Sequence, residues 1–217
     1  MKKELVLAEL VLAIDTTTEF GSLALGDRDR VIEEVALEAV DGYGHILFGH
    51  IDALLNRHGV QLIDIKLFAA AAGPGTFTGI RVGLTAAKGF ASALGTLAAG
   101  VSNLQALALL GEGPLRAAVL DARRGEVYAA LYDDQARALT EETVARLEDW
   151  TATLPEGDIA FVFQNMAPFA ELGRGVERPM LAGAIARLAW DQARHPAALD
   201  ANYVRQSDAE MAWTEKK

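Results

Sequence analysis

Read as a pattern of apolar and polar positions, the chain opens with three short extended runs. "LVLAIDTTTEFGSLALGDRDRVIEEVAL" predicts strands at Leu10–Asp15, Gly21–Gly26 and Arg30–Leu37, with turn-forming residues between them, the pattern of a β-meander. Leu47, Ile51, Leu54 and Leu55 then recur at helical spacing until Gly59 closes the helix. "IDIKLFAAAAG" is a short, wholly apolar run, as expected of a strand covered on both faces. A helix from Phe77 to Leu94, a strand at Thr96–Val101 and a helix at Asn103–Leu110 follow. "GEGP", Gly111 to Pro114, is the best boundary, and after it the pattern restarts. "LRAAVLDARRGEVYAALYDD" predicts a hairpin about Arg123-Arg124-Gly125. A helix around Glu141–Asp149, a strand "IAFVFQN", helical stretches near Ala167–Leu172 and Ala182–His195, and a charged tail complete the chain. Each half opens on strands of which one ends in Asp, Asp15 and Asp121, and then returns on a second strand. The expectation is an α/β protein of two duplicated lobes, residues 1–110 and 111–217, the second with a divergent, partly loose tail.

Composition narrows the function. With 20 Lys and Arg against 30 Asp and Glu, the net charge of −10 argues against a broad electrostatic grip on nucleic acid, though not against a role through a partner. There are no cysteines, which removes disulfides and thiolate metal sites. "MKKELVLAELVLAI" looks like a signal peptide, but Glu4 and Glu9 interrupt it and no small-residue cleavage site follows; it reads as a short leader feeding the first strand. No run reaches the roughly 18 apolar residues of a membrane span. The expected location is the cytoplasm.

The stretch with most chemical promise is "AAAAGPGTFTGIRVGLTAAKGF", Ala69 to Phe90. A phosphate-binding P-loop needs a lysine after its second glycine, and Gly75 is followed by Thr76-Phe77-Thr78-Gly79. The dinucleotide fingerprint fails on spacing. What remains is a strand-to-helix turn whose helix N-terminus either holds an anion or is capped by Thr76 or Thr78. The turn reading is favoured over nucleotide contact, with Asp15, Thr16 and Thr76 the candidate contacts if a nucleotide binds. The helix after it carries Gly79, Gly83 and Ala87 at four-residue spacing. Interior glycines cost about 1 kcal/mol each relative to alanine, so a close neighbour is expected, in this chain or another. Arg81 sits in the first turns, where the dipole disfavours a cation, and so either is simply exposed or faces an anion. Arg123 and Arg124 form a hairpin tip expected to be solvated. His45 and His50 are about 140° apart on a helix, and with His58 they are not expected to bind metal. His195, before Pro196, is read as a cation at a helix end. No serine stands in a nucleophile-elbow context.

"LAIDTTTEFGSLAL", "AAGPGTFTGIRVGLTAAKGFA", "GVSNLQALA" and "LDARRGEVYAALYD", in this order, closely resemble the bacterial TsaB (YeaZ) family, historically labelled glycoprotease-like. The match runs from about Val11 to Asp133 and weakens after Asp134. "DANYVR", Asp200 to Arg205, looks like the family's P-x-Y-x-R element with Ala201 in place of proline. Tyr43 and Gly44 stand where the family's first helix usually begins His-Ser, so no family role passes to His45. The resemblance implies an actin-like (ASKHA) fold of two ribonuclease-H-like lobes. It implies a role in adding threonylcarbamoyl to the adenosine beside the anticodon of tRNA, as a scaffold or activator without catalytic residues or a cofactor of its own. The transferase would be the paralogue TsaD, with TsaE as ATPase partner, tRNA reached only through the complex, and ATP or ADP, if any, at the TsaD junction. A homodimer through the same surface is also implied. Leu47, Ile51, Leu54, Leu55, Gly79, Arg81, Gly83 and Ala87, on the first two helices, are the candidate interface. The alternative is an actin-like nucleotide hydrolase acting alone; a metalloprotease, suggested by the old label, lacks a visible ligand set.

Overall fold

The computed structural model describes residues 9–38, 42–172 and 174–204. The leader and the end of the charged tail from Arg205 onward lie outside them. Ten strands form two five-stranded sheets. In the first sheet, β1 (Leu10–Asp15), β2 (Ser22–Gly26) and β3 (Val31–Ala36) make the antiparallel meander that the alternation predicts. On the other side of β1, β4 (Ile65–Gly73) and β5 (Leu97–Ser102) run parallel to it, giving the order β3-β2-β1-β4-β5. The second sheet repeats this plan. β6 (Leu115–Asp121), β7 (Glu126–Asp133) and β8 (Thr143–Arg146) form a meander, and β9 (Ile159–Phe163) and β10 (Val176–Glu177) extend it in parallel on the far side of β6.

The strand sequences explain the layering. In β1 and β4, Leu10, Leu12, Ile14, Phe68 and Ala70 face one way, under α1 (Leu47–Arg57) and α2 (Phe77–Leu94). Val11, Ala13, Leu67, Ala69 and Ala71 face the other, onto a middle layer of α3 (Asn103–Leu109) and α5 (Ala182–Ala189). That middle layer is shared with Ala118, Leu120, Ala130 and Val162 of the second sheet. Both faces are covered, so neither strand alternates in polarity. The outer face of the second sheet is closed by a smaller cluster that includes Trp150 of α4 (Leu147–Thr151), Phe161, Phe163 and Phe169.

Two expected helices differ from the sequence pattern, and β10 has no counterpart in it. The helix expected over Glu141–Asp149 is strand β8 followed by the single-turn α4. Thr143, Val144 and Ala145 pair with β7, and this non-local ladder overrides the local helical pattern. The helix expected over Ala182–His195 ends at Ala189 with one further 3-10 turn, after which Arg194 bridges to Ala98 at the edge of β5. His195 therefore does not stand at the end of that helix; its Nδ1 accepts from the Ala197 N–H (3.2 Å) and caps the next 3-10 turn.

A polar staple joins the layers at the margin of the middle core, to which Tyr132 belongs. The Glu142 carboxylate accepts from Ser102 Oγ, from Tyr132 OH (2.9 Å) and from Asn202 Nδ2 (2.6 Å). Burial, and then the neighbouring carboxylate, push the Tyr132 phenol above its ordinary range. Glu142→Ala leaves that buried hydroxyl without its acceptor and is expected to lower unfolding stability by about 3 kcal/mol in urea titrations. A change within experimental error would show that the staple is redundant.

Candidate functional site

Two surfaces merit comparison: a cleft between the sheets and a groove between the first two helices. The cleft lies where Thr18, Glu19 and Phe20 of the first turn face Asp121, Arg123, Gln164 and Asn165 of the second sheet, with Pro74, Gly75 and Thr76 at one side. It is the place a nucleotide would take in a two-lobed α/β protein with strand ends converging. Its volume is ≈ 140 Å³, against about 300–1,000 Å³ for ordinary small-molecule sites. Two contacts cross it: Thr18 Oγ1 donates to Gln164 Oε1 (3.0 Å), and Arg123 pairs with Glu19 (3.4 Å). Arg123 also pairs with Asp121 (3.2 Å) of its own hairpin, and the tip is exposed, as expected of a solvated turn. Arg123 and Arg124 both take positive φ, 63° and 59°.

The sequence candidates for nucleotide contact are spent on structure. Asp15 is fully buried and does not line the cleft. Its Oδ1 accepts from the N–H (2.9 Å) and Oγ1 (2.6 Å) of Thr17, and its Oδ2 has no hydrogen-bond partner among the described residues. Thr17 Oγ1 in turn accepts from Asn103 Nδ2 (2.5 Å). Thr16 Oγ1 donates to Gly79 O (2.7 Å). Thr76 lines the cleft, but its Oγ1 accepts from Gly79 N–H (3.3 Å) as the N-cap of α2. The glycines serve the same contact. A Cβ on Gly75 would lie 2.7 Å from Thr17 Cβ, one on Gly83 would lie 2.9 Å from Thr16 Oγ1, and one on Gly79 would overlap Thr16 O. The loop and helix are thus pressed onto the Asp15–Thr18 turn, closed by Thr76 N–H to Thr17 O (2.7 Å).

Burial pushes the Asp15 carboxyl up from 3.8 to about 6, against the lowering effect of its bonds from Thr17. A raised native pKa adds stability that is complete below the unfolded value near 3.8 and lost as pH climbs through about 6. Asp15→Asn carries no such term. The stability of Asp15→Asn relative to wild type is expected to rise by about 2.5 kcal/mol between pH 4 and pH 7.5. Urea unfolding of both proteins at the two pH values measures this, and a difference independent of pH would contradict it.

The candidate interface residues split in an instructive way. Leu47, Ile51, Leu54 and Leu55 are at most 4% exposed, packed on the first sheet. Gly79, Gly83 and Ala87 are buried too, on the inner face of α2. All seven pack against their own sheet, and the close neighbour that Gly79 and Gly83 signal is the Thr16 turn, but Leu47 also lines the groove between the two helices. Of the eight, Arg81 alone is exposed. What the outer faces of α1 and α2 present is a groove of ≈ 550 Å³, lined by Gly44, Phe48, Phe77, Arg81, Val82 and Phe90 among others. Phe48 is 58% exposed and Phe77 42%. Phe48 meets Phe90 edge-on at 5.8 Å, and Phe90 stacks on the buried Phe68 at 5.3 Å. The Arg81 guanidinium lies 3.7 Å from the Phe77 ring centre. The sequence reading missed Phe48 and Phe77. The signal available was their place just outside the 3.6-residue stripes that bury Leu47 and Ile80.

The histidines do not gather. His58 Nε2 meets Glu33 Oε2 at 2.6 Å, beside Arg57, while His45 and His50 are exposed. Among the described residues no three His, Asp or Glu are placed to hold a metal, and no helix is long and apolar enough to cross a membrane.

Comparison with known proteins places this architecture. The family model described as TsaD, tRNA N6-adenosine threonylcarbamoyltransferase, matches residues 38–176. The tRNA threonylcarbamoyladenosine biosynthesis protein TsaB of Bacillus subtilis (strain 168) is 34% identical over 159 residues, 70% of this chain and 69% of its own. TsaB of Escherichia coli (strain K12) is 37% identical over 147 residues, 64% of this chain and 62% of its own. The structure of YeaZ from Pseudomonas aeruginosa superposes with a TM-score of 0.74 at 25% identity, covering 90% of this chain and 99% of that one. The duplicated sheets are those of the actin-like (ASKHA) fold, and the chain belongs to the TsaB (YeaZ) family.

Proposed function

We propose that this protein is a non-catalytic subunit that supports the threonylcarbamoyl transferase TsaD by docking through the groove between α1 and α2. Its part in tRNA threonylcarbamoyladenosine biosynthesis follows from its membership of the TsaB family. The single observation that carries the docking reading is the groove itself, an apolar face with Phe48 and Phe77 half-exposed. An exposed apolar patch on a charged surface is a feature of contact sites, protein contacts among them. The choice of occupant is supported by the match of the TsaD family model to residues 38–176. Two homologous chains carry related helix faces and can pair in a pseudo-symmetric way, as two copies of this chain would. TsaE is proposed to join that pair, and tRNA to be held by the complex rather than by a chain of net charge −10.

The cleft favours this reading over an independent hydrolase. It is about half the smallest usual ligand volume, it is bridged by two contacts, and Asp15 is sealed beneath it. A nucleotide of the complex is accordingly proposed at the TsaD junction. Reconstituted tRNA modification with TsaD, TsaE and TsaC, which in this family makes threonylcarbamoyl-adenylate, with and without this chain, tests the proposal, alongside ATP turnover by the chain alone. Activity is expected only when this chain is present, with no turnover in isolation. Turnover by the isolated chain that disappears in Asp15→Ala would overturn it.

A further inference from the structure

The element "DANYVR" has a structure as far as Val204, and it leads to the groove. Leu199 is buried over Gly100. Asn202 N–H donates to Ala72 O (2.7 Å), and Asn202 O lies against Gly73. The segment is thus a strap across the ends of β4 and β5. Asn202 Nδ2 fastens it to Glu142, the carboxylate already tied to Tyr132 of the second sheet. The next residue, Tyr203, is 47% exposed. Its ring stacks on Phe77 at 5.5 Å, and its hydroxyl accepts from Arg81 Nε (3.3 Å). Phe77 and Arg81 belong to the groove.

We propose that Tyr203 is part of the docking face and positions Arg81 on it, with the Asn202–Glu142 hydrogen bond holding Tyr203 in place. The proposal rests on the groove reading above and deepens it. Tyr203 carries the apolar face past Phe77, and an aromatic ring with a polar tip is a favoured interface group. It also fixes the guanidinium that the dipole at the start of α2 would disfavour. Arg81 has no carboxylate partner among the described residues, so the partner surface that fits is an apolar projection flanked by an acidic side chain. The second sheet then sets the geometry of a contact made by the first.

Calorimetric titration of the full chain with the TsaD subunit tests this. Tyr203→Ala is expected to weaken binding about tenfold, and Tyr203→Phe, which keeps the stack and loses the hydroxyl, about threefold. Asn202→Ala is expected to weaken binding about fivefold in the wild-type background and less than about twofold in Tyr203→Ala, because it acts through Tyr203. Phe48→Asp separates the two readings. If it abolishes binding while Tyr203→Ala leaves affinity unchanged, the groove stands and the role of Tyr203 is overturned. If Phe48→Asp also binds normally, the groove reading fails and takes this proposal with it. Additive effects of Asn202→Ala and Tyr203→Ala would overturn the positioning link.

Discussion

Phe48→Asp is expected to weaken pairing with TsaD by at least about 100-fold while leaving the fold intact. Phe48 stands on the first turn of α1, 58% exposed, and its ring contact is an edge-on one with Phe90. That contact is worth about 0.5–1.5 kcal/mol, so the isolated protein keeps most of its stability. In a complex the substituted position would bury a carboxylate in a groove walled by Phe77, Val82 and Phe90. An unpaired buried charge is among the most costly single changes available to an interface. Calorimetry against TsaD reads the loss, and a thermal melt confirms the fold. Undiminished affinity would remove the groove from the interface.

Gly79→Ala should have the opposite character, destroying stability rather than pairing. The added methyl would overlap Thr16 O and come 2.6 Å from Thr76 Oγ1. Neither neighbour can retreat: Thr16 is buried and bonded to Gly79 O, and Thr76 N–H is bonded to Thr17 O. Relief requires pushing α2 off the first sheet, and a loss above about 4 kcal/mol is expected. Gly89 is the internal control, since a Cβ there meets nothing within 4 Å. Gly89→Ala should instead stabilise the same helix by about 0.5–1 kcal/mol. Urea unfolding of the pair measures both signs. A Gly79→Ala protein within about 1 kcal/mol of wild type would contradict the close-packed turn.

These two positions also show what was legible in the sequence. The spacing of Gly79, Gly83 and Ala87 announced a close neighbour, and the helix bounds Phe77–Leu94 were read correctly. The identity of the neighbour was not local information. It is the Thr16 turn, 63 residues away in the chain, and nothing in the helix itself distinguishes that from a partner. The apolar stripe from Leu47 to Leu55 was likewise real, but a stripe at helical spacing names the buried face. The exposed rings of the proposed docking groove, Phe48 and Phe77, lie outside that stripe. Strands β1, β2, β3 and β4 were legible because alternation, turns and the double-sided run at Ala69–Ala72 act within a few residues. β8 was not, because its pairing with β7 decides it. The strap at Asn202–Tyr203 showed as a family element with no visible purpose, since its bonds go to Ala72, Glu142 and Arg81, all distant in sequence.

On the reading proposed above, this chain acts by docking onto TsaD and carries no catalysis of its own. Threonylcarbamoylation of tRNA, measured while the chain is titrated into fixed TsaD, TsaC and TsaE, tests it most directly. The account predicts that activity rises to a plateau at one chain per TsaD, that Phe48→Asp gives none in the same range, and that Asp15→Asn behaves as wild type. Full activity with Phe48→Asp, or loss of activity in Asp15→Asn with TsaD binding unchanged, would contradict it.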